Sequence, residues 1–152
     1  MEVKTFAELI EWTRWSHEML AQCFTRCALQ NVDERASWLL DYLASRETEM
    51  QTMVAAFGQR AEPKVTHTLV YDYTPHLPVN KHLPCDGHYA ALDTDEIAAE
   101  FFVFREQIVD LYRSLLRKPV IPEADDLMQT LLDMEVNETK LLATQIGRTG
   151  GL

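Results

Sequence analysis

The feature that most narrows the fold is a set of four amphipathic stretches of near-equal length, at about residues 6–29, 33–57, 93–117 and 122–146, with apolar residues at helical spacing. Thr5 with Glu8 three residues on predicts a capping box ahead of the first stretch, each side chain satisfying a free backbone N–H. Asp33 is the expected cap of the second, and Gly58 its close, where a residue tolerant of left-handed geometry is wanted. Asp93 with Glu96 repeats the box for the third, which must stop before Lys118-Pro119 because proline disfavours helical geometry in its predecessor. Pro122 opens the fourth and Gly147 ends it. At 1.5 Å per residue each helix is about 36 Å long, and equal lengths let four apolar stripes be buried together. The expectation is an all-α fold, an antiparallel four-helix bundle in a single domain over residues 1–152.

The connections divide the four helices into pairs. Only a few residues separate the first from the second and the third from the fourth, which predicts two helical hairpins, whereas residues 59–92 form a long crossover. A fully extended chain covers about 36 Å in about 11 residues, so this crossover can traverse a bundle with many residues to spare. Pro75, Pro78 and Pro84 stiffen it into a strap laid along the helices, with Val65, Leu69, Tyr71 and Tyr73 as its inward contacts. The hairpins echo one another faintly: Glu18 corresponds to Glu106 and Glu47 to Glu135.

Polar residues that interrupt the apolar stripes carry the most information. On the first helix Thr13, Ser16 and His17 fall within the stripe of Phe6, Leu9, Ile10, Leu20, Phe24, Cys27 and Ala28, while Glu18 points to water. The second helix has a seam of Leu39, Leu43, Met50, Met53 and Phe57, whose missing member is Arg46, with Glu47 at the border. Arg105 lies within the third stripe and Glu106 well outside it, and Glu135 and Glu138 sit near the centre of the fourth. The bundle interior is therefore expected to hold His17, Arg46, Arg105, Glu135 and Glu138. Inward charges cost several kcal/mol unless paired, so this set is either an ion network, whose charges already balance, or a metal site of His17, Glu135 and Glu138 joined by Glu47.

In this arrangement the chain resembles the ferritin-like superfamily, which includes ferritins and rubrerythrins. The likeness rests on the two hairpins with their long crossover, on Leu39-Leu40-Asp41-Tyr42-Leu43 leading to Glu47, and on Met134-Glu135 leading to Glu138. It implies a bundle in which a di-iron site takes one Glu from each of two helices and a Glu-x-x-His pair from each of the others. Here Glu47 is followed three residues later by Met50 and Glu135 by Glu138, so neither pair is complete, and Arg105 stands where iron would want a carboxylate. The resemblance thus implies the fold without intact di-iron chemistry. The leading expectation is a non-catalytic bundle with no cofactor and no catalytic residue; the alternative is an iron- or manganese-binding oxidoreductase or storage protein.

Two further features lie outside that centre. The crossover carries His76, His82, Cys85 and His88, the last three reading His-x2-Cys-x2-His, a donor set suited to zinc or another late transition metal. The first helix carries a second apolar stripe of Trp12, Trp15, Met19 and Cys23, which must be covered by the crossover or by a second copy of the chain; the expected partner is a homodimer through Trp12, Trp15 and Met19.

The net charge of −10 repels phosphate backbones and anionic lipid, so neither nucleic acid nor a membrane is an expected partner. No apolar run approaches the roughly 20 residues of a membrane span, and Met1-Glu2-Val3-Lys4 does not begin a signal peptide. Three cysteines in no disulfide-framework spacing agree with a reducing compartment, with Cys23 and Cys27 as small buried apolar residues, and the expected location is cytoplasmic. A Gly-rich phosphate loop and a Ser or Cys nucleophile motif are both missing from the sequence.

Overall fold

The computed structural model describes residues 3–67, 77–78, 80–116 and 122–148, and among them the fold is all-α. The helices are α1 (Phe6–Gln30), α2 (Glu34–Arg60), α3 (Pro63–Thr66), α4 (Thr94–Leu116) and α5 (Pro122–Arg148), with a 3-10 helix at His88–Ala91. His76, Pro75 and the expected inward contacts Leu69, Tyr71 and Tyr73 of the crossover, and the expected stop at Lys118-Pro119, lie outside the described residues. No helix among the described residues is long and apolar enough to cross a membrane.

The starts of the helices follow the local chemistry of the chain. Thr5 accepts from Glu8 N–H while its own N–H donates to Glu8 Oε1 at 3.1 Å, and Asp93 and Glu96 repeat the exchange ahead of α4 at 2.9 and 3.1 Å. Asp33 accepts from Arg35 and Ala36 N–H to start α2. The ends depart from expectation. Gly58 does not close α2, which runs on to Arg60; a Cβ there would meet Ile10 Cγ2 at 3.0 Å, so glycine serves the close approach of α1 and α2 instead. Likewise α5 passes through Gly147 to Arg148. The crossover begins after α2 and holds two short helices, so it is partly structured rather than purely extended.

α1 packs most extensively along α2, α4 packs along α5, and α2 also touches α4. Ile10 meets Gly58 at one end of the first pair and Ser37 Oγ donates to Ala28 O at 2.6 Å at the other, so α1 and α2 run antiparallel. The apolar stripes of α1, α4 and α5 are buried as expected, although on α2 Met53 is exposed and Val54 takes its place in the core. The 3-10 helix of the crossover packs on α1: Tyr89 meets Phe24 edge-on at 5.1 Å, and Asn31 Nδ2 donates to Tyr89 O and Leu92 O at 3.2 and 2.9 Å. Trp12 is only 5% exposed within the single chain, which removes it from the proposed dimer face because its area is already covered; Trp15 is exposed and Met19 half-buried.

Candidate functional site

Four long helices each send a polar side chain to one buried layer. His17 comes from α1, Glu47 from α2, Arg105 from α4 and Glu135 from α5, and all four are buried. His17 Nε2 donates to Glu135 Oε1 at 2.7 Å, and His17 Nδ1 is hydrogen-bonded to Glu47 Oε2. Carboxylates on both nitrogens require both to carry protons, so the ring is an imidazolium. Burial opposes that charge, yet the two carboxylates outweigh it and raise the His17 pKa to about 10. For Glu135, burial favours the neutral acid, but His17 and Arg105 hold the carboxyl down at about 2.

Arg105 completes the layer. Its Nη1 lies 2.9 Å from Glu135 Oε2 and 3.9 Å from Glu47 Oε1, in ion pairs too poorly directed to count as hydrogen bonds. Its other nitrogens are well directed: Nε and Nη2 donate to Thr139 Oγ1 at 3.2 and 3.1 Å, and Nη2 also to Glu135 O at 3.0 Å. Beside the layer, Thr13 Oγ1 donates to Leu9 O at 2.9 Å, so its bond with Tyr112 must take the proton from the phenol. Burial first, and the Glu135 charge next, push the Tyr112 phenol well above its usual range.

Two cations thus balance two anions in the quartet. A second neutral pair lies next to it, where Arg46 Nη2 and Nε donate to Glu138 at 2.6 and 3.0 Å, with Nη1 reaching out to Glu49 at 2.8 Å. Of the five side chains expected inside, His17, Arg105 and Glu135 are in the quartet and Glu138 is buried in the second pair, while Glu47, expected only at the border, is a full member of the quartet. Arg46, at 23% exposure, sits at the edge. As expected, Glu106 lies on the solvent face and Glu18 is tied to Arg14 at 2.7 Å away from this layer.

The donor set His17, Glu47, Glu135 and Glu138 does not fit a metal in this arrangement. Both imidazole nitrogens are engaged, both Glu138 oxygens bind Arg46, and both Glu135 oxygens face a cation. Iron or manganese there would have to displace Arg105, a guanidinium that cannot be deprotonated.

The crossover donors divide rather than converge. Cys85 turns inward and forms a disulfide with Cys23, with the third thiol, Cys27, buried 3.7 Å from Cys85 Sγ. This corrects the reading of Cys23 as a mere apolar filler and removes the cysteine argument for a reducing compartment. Burial raises the Cys27 thiol pKa, opposed by the backbone of Ala90 and Tyr89. His82 and His88 remain on the outer side, their rings stacked at 3.6 Å. There His82 Nδ1 pairs with Asp86 at 2.8 Å, and His88 Nε2 with Glu100 of α4 at 2.7 Å. The His82-x2-Cys85-x2-His88 reading is thus corrected: the middle donor faces away from the other two. Sequence reasoning missed Glu100, one of many acidic residues on helix faces. It also missed the Cys23–Cys85 bond, although Cys23 lay on the stripe that either the crossover or a second copy was expected to cover.

Comparisons with protein-family models, curated proteins and solved structures find no match.

Proposed function

We propose that this chain is a divergent ferritin-like four-helix bundle, two hairpins joined by a long crossover, that acts as a non-catalytic structural or interaction protein. The observation that carries this reading is the placement of Arg105 between the Glu135 and Glu47 carboxylates, with His17 as a second cation, in the layer where a ferritin-like bundle would hold metal. A guanidinium there supplies the charge that a metal would otherwise supply, and offers neither Lewis acidity nor redox change. The partner that fits best is a second copy through Trp15 and Met19, since Trp12 is already covered. The acidic surface keeps nucleic acid and anionic membranes off the list.

The test is elemental analysis of protein produced with added iron and, separately, added manganese. The expected result is no metal that depends on the core layer. Stoichiometric iron or manganese that disappears in Glu135→Gln would overturn the reading in favour of a metal-binding oxidoreductase or storage protein. Sedimentation of the protein and of Trp15→Ser checks the homodimer. The cytoplasmic location expected from the sequence is opposed by the Cys23–Cys85 bond, and acid-quenched thiol counting checks it: one free thiol, Cys27, is expected, and three would return the chain to a reducing compartment.

A further inference from the structure

Outside the ion network, the crossover and α4 bring together a second set of donors whose atoms are not all engaged by cations. One ligand atom each from His82, His88 and Glu100 lie within 4.8 Å of one another. From this geometry we infer a surface site for a divalent late transition metal, zinc first, ligated by the two imidazoles and the Glu100 carboxylate, with its fourth position open to water. The site is independent of the core layer.

Donor chemistry selects the metal class. Two imidazoles and one carboxylate form the ligand set of open, four-coordinate zinc sites, and nickel, copper and cobalt accept it as well, whereas calcium and magnesium prefer all-oxygen shells. Asp86 supplies the outer partner such a site needs. By accepting from His82 Nδ1 at 2.8 Å it fixes the ring orientation and leaves Nε2 for the metal, the carboxylate–histidine–metal arrangement. At His88, a metal would replace the proton held between Nε2 and Glu100 Oε2. That gap would open from 2.7 Å to roughly 3.3 Å, the separation of two donors about 2.05 Å from a tetrahedral ion. The His82 and His88 rings, stacked at 3.6 Å and nearly parallel, must also turn so that their lone pairs converge on one ion; Glu100 is exposed and the histidines are half-buried, so all of these movements are rotations of side chains at the surface.

The backbone beneath the site is held in place. Cys85 is bonded to Cys23, and Tyr89 is buried against Phe24, so residues on both sides of Asp86-Gly87-His88 are tied to α1. Gly87, at φ 82, makes the left-handed turn into the 3-10 helix. His82 N–H donates to Asn80 Oδ1 and His88 N–H to Asp86 Oδ1, at 2.9 and 3.0 Å. A pocket of about 410 Å³ opens beside the donors, lined in part by Asn80, His82, Glu100 and Gln107, and gives a path for the ion and its water. Lys81 also lines it, a flexible cation that can swing away from a bound ion.

The experiment is titration of chelator-stripped, full-length, disulfide-intact protein with Zn²⁺ by calorimetry, and with Co²⁺ by its visible d–d absorption. One zinc per chain is expected, with a tetrahedral cobalt spectrum. His88→Ala should weaken zinc binding by more than about 100-fold and Asp86→Asn by about 10- to 100-fold, since a lost ligand costs more than a lost outer partner. Glu106→Gln on the solvent face of α4 should leave it unchanged. Circular dichroism of each variant establishes that it folds. Three results would overturn the site: no saturable zinc binding, binding that survives the His82→Ala/His88→Ala double variant, or binding lost in Cys27→Ser but kept in His88→Ala. None of them bears on the core layer, whose own test is metal lost in Glu135→Gln.

Discussion

The molecule holds two clusters of histidine and carboxylate, and they differ in what completes them. In the core, His17 is clamped between Glu47 and Glu135 and Arg105 neutralises the remainder, all of it buried. On the crossover, His82 and His88 face Glu100 with one side open to solvent and no arginine in the set. The same residue types therefore lead to opposite chemistry. Burial forces the first cluster to close its own charge balance, because an unpaired ion there costs several kcal/mol, whereas water lets the second keep free donors. What separates an ion network from a metal site in this chain is the supply of cations from neighbouring helices, more than the ligand residues themselves.

Removing one core cation tests this contrast most severely. Arg105→Met should destabilise the fold by about 3 to 5 kcal/mol in urea unfolding, because it strands the Glu135 and Glu47 charges, while replacing the whole quartet by apolar residues of similar volume should be far milder. Cutting the link under the outer cluster comes next. Cys23→Ser should cost roughly 2 to 4 kcal/mol, since the bond closes a loop with a sequence separation of 62.

The pH dependence of stability is the third measure. The His17 pKa is raised in the folded state to about 10, so its contribution is complete below about 6.5 and is lost as pH rises toward 10. Glu135, lowered to about 2, contributes fully above about 4.5 and loses this as pH falls toward 2. The urea midpoint should therefore be highest between about pH 4.5 and 6.5 and decline on both sides, with the alkaline decline reduced in His17→Gln. Smaller than the loss of Arg105 is Arg46→Met, at about 2 kcal/mol, because Arg46 is itself 23% exposed, although its removal leaves the buried Glu138 carboxylate, at 5%, without its cation. His88→Ala should fall within about 0.5 kcal/mol of the parent, as expected of a surface residue that serves ligation and not folding.

How much of this was legible in the sequence depended on periodicity. The capping pairs Thr5–Glu8 and Asp93–Glu96 follow from the hydrogen-bonding needs of a helix start, and the apolar stripes of α1, α4 and α5, with His17, Arg105 and Glu135 as their interruptions, follow from a fixed 100 degrees per residue; on α2 the rule slipped by one residue, from Met53 to Val54. Glu47 was harder, because it and Arg46 straddle the seam as neighbours; the short side chain went fully inward and the long one reached the rim. Gly58 read as a stop because a glycine's two uses, a left-handed cap and a close helix contact, look alike in one sequence. The crossover has no period at all. Nothing local could bring Cys85 to Cys23 or His88 to Glu100, since both contacts depend on the path of a loop across helices already packed.

The Cys23–Cys85 bond also has a topological consequence. It closes the backbone into a covalent ring that contains the end of α1, all of α2 and the first part of the crossover, residues 68–76 included. A single proteolytic nick anywhere in that ring converts the chain into two pieces that travel together on a non-reducing gel and separate only after a reductant is added. A cut between Cys85 and α4 would instead release the C-terminal helices at once, so the position of first cleavage can be read from gel mobility with and without thiol.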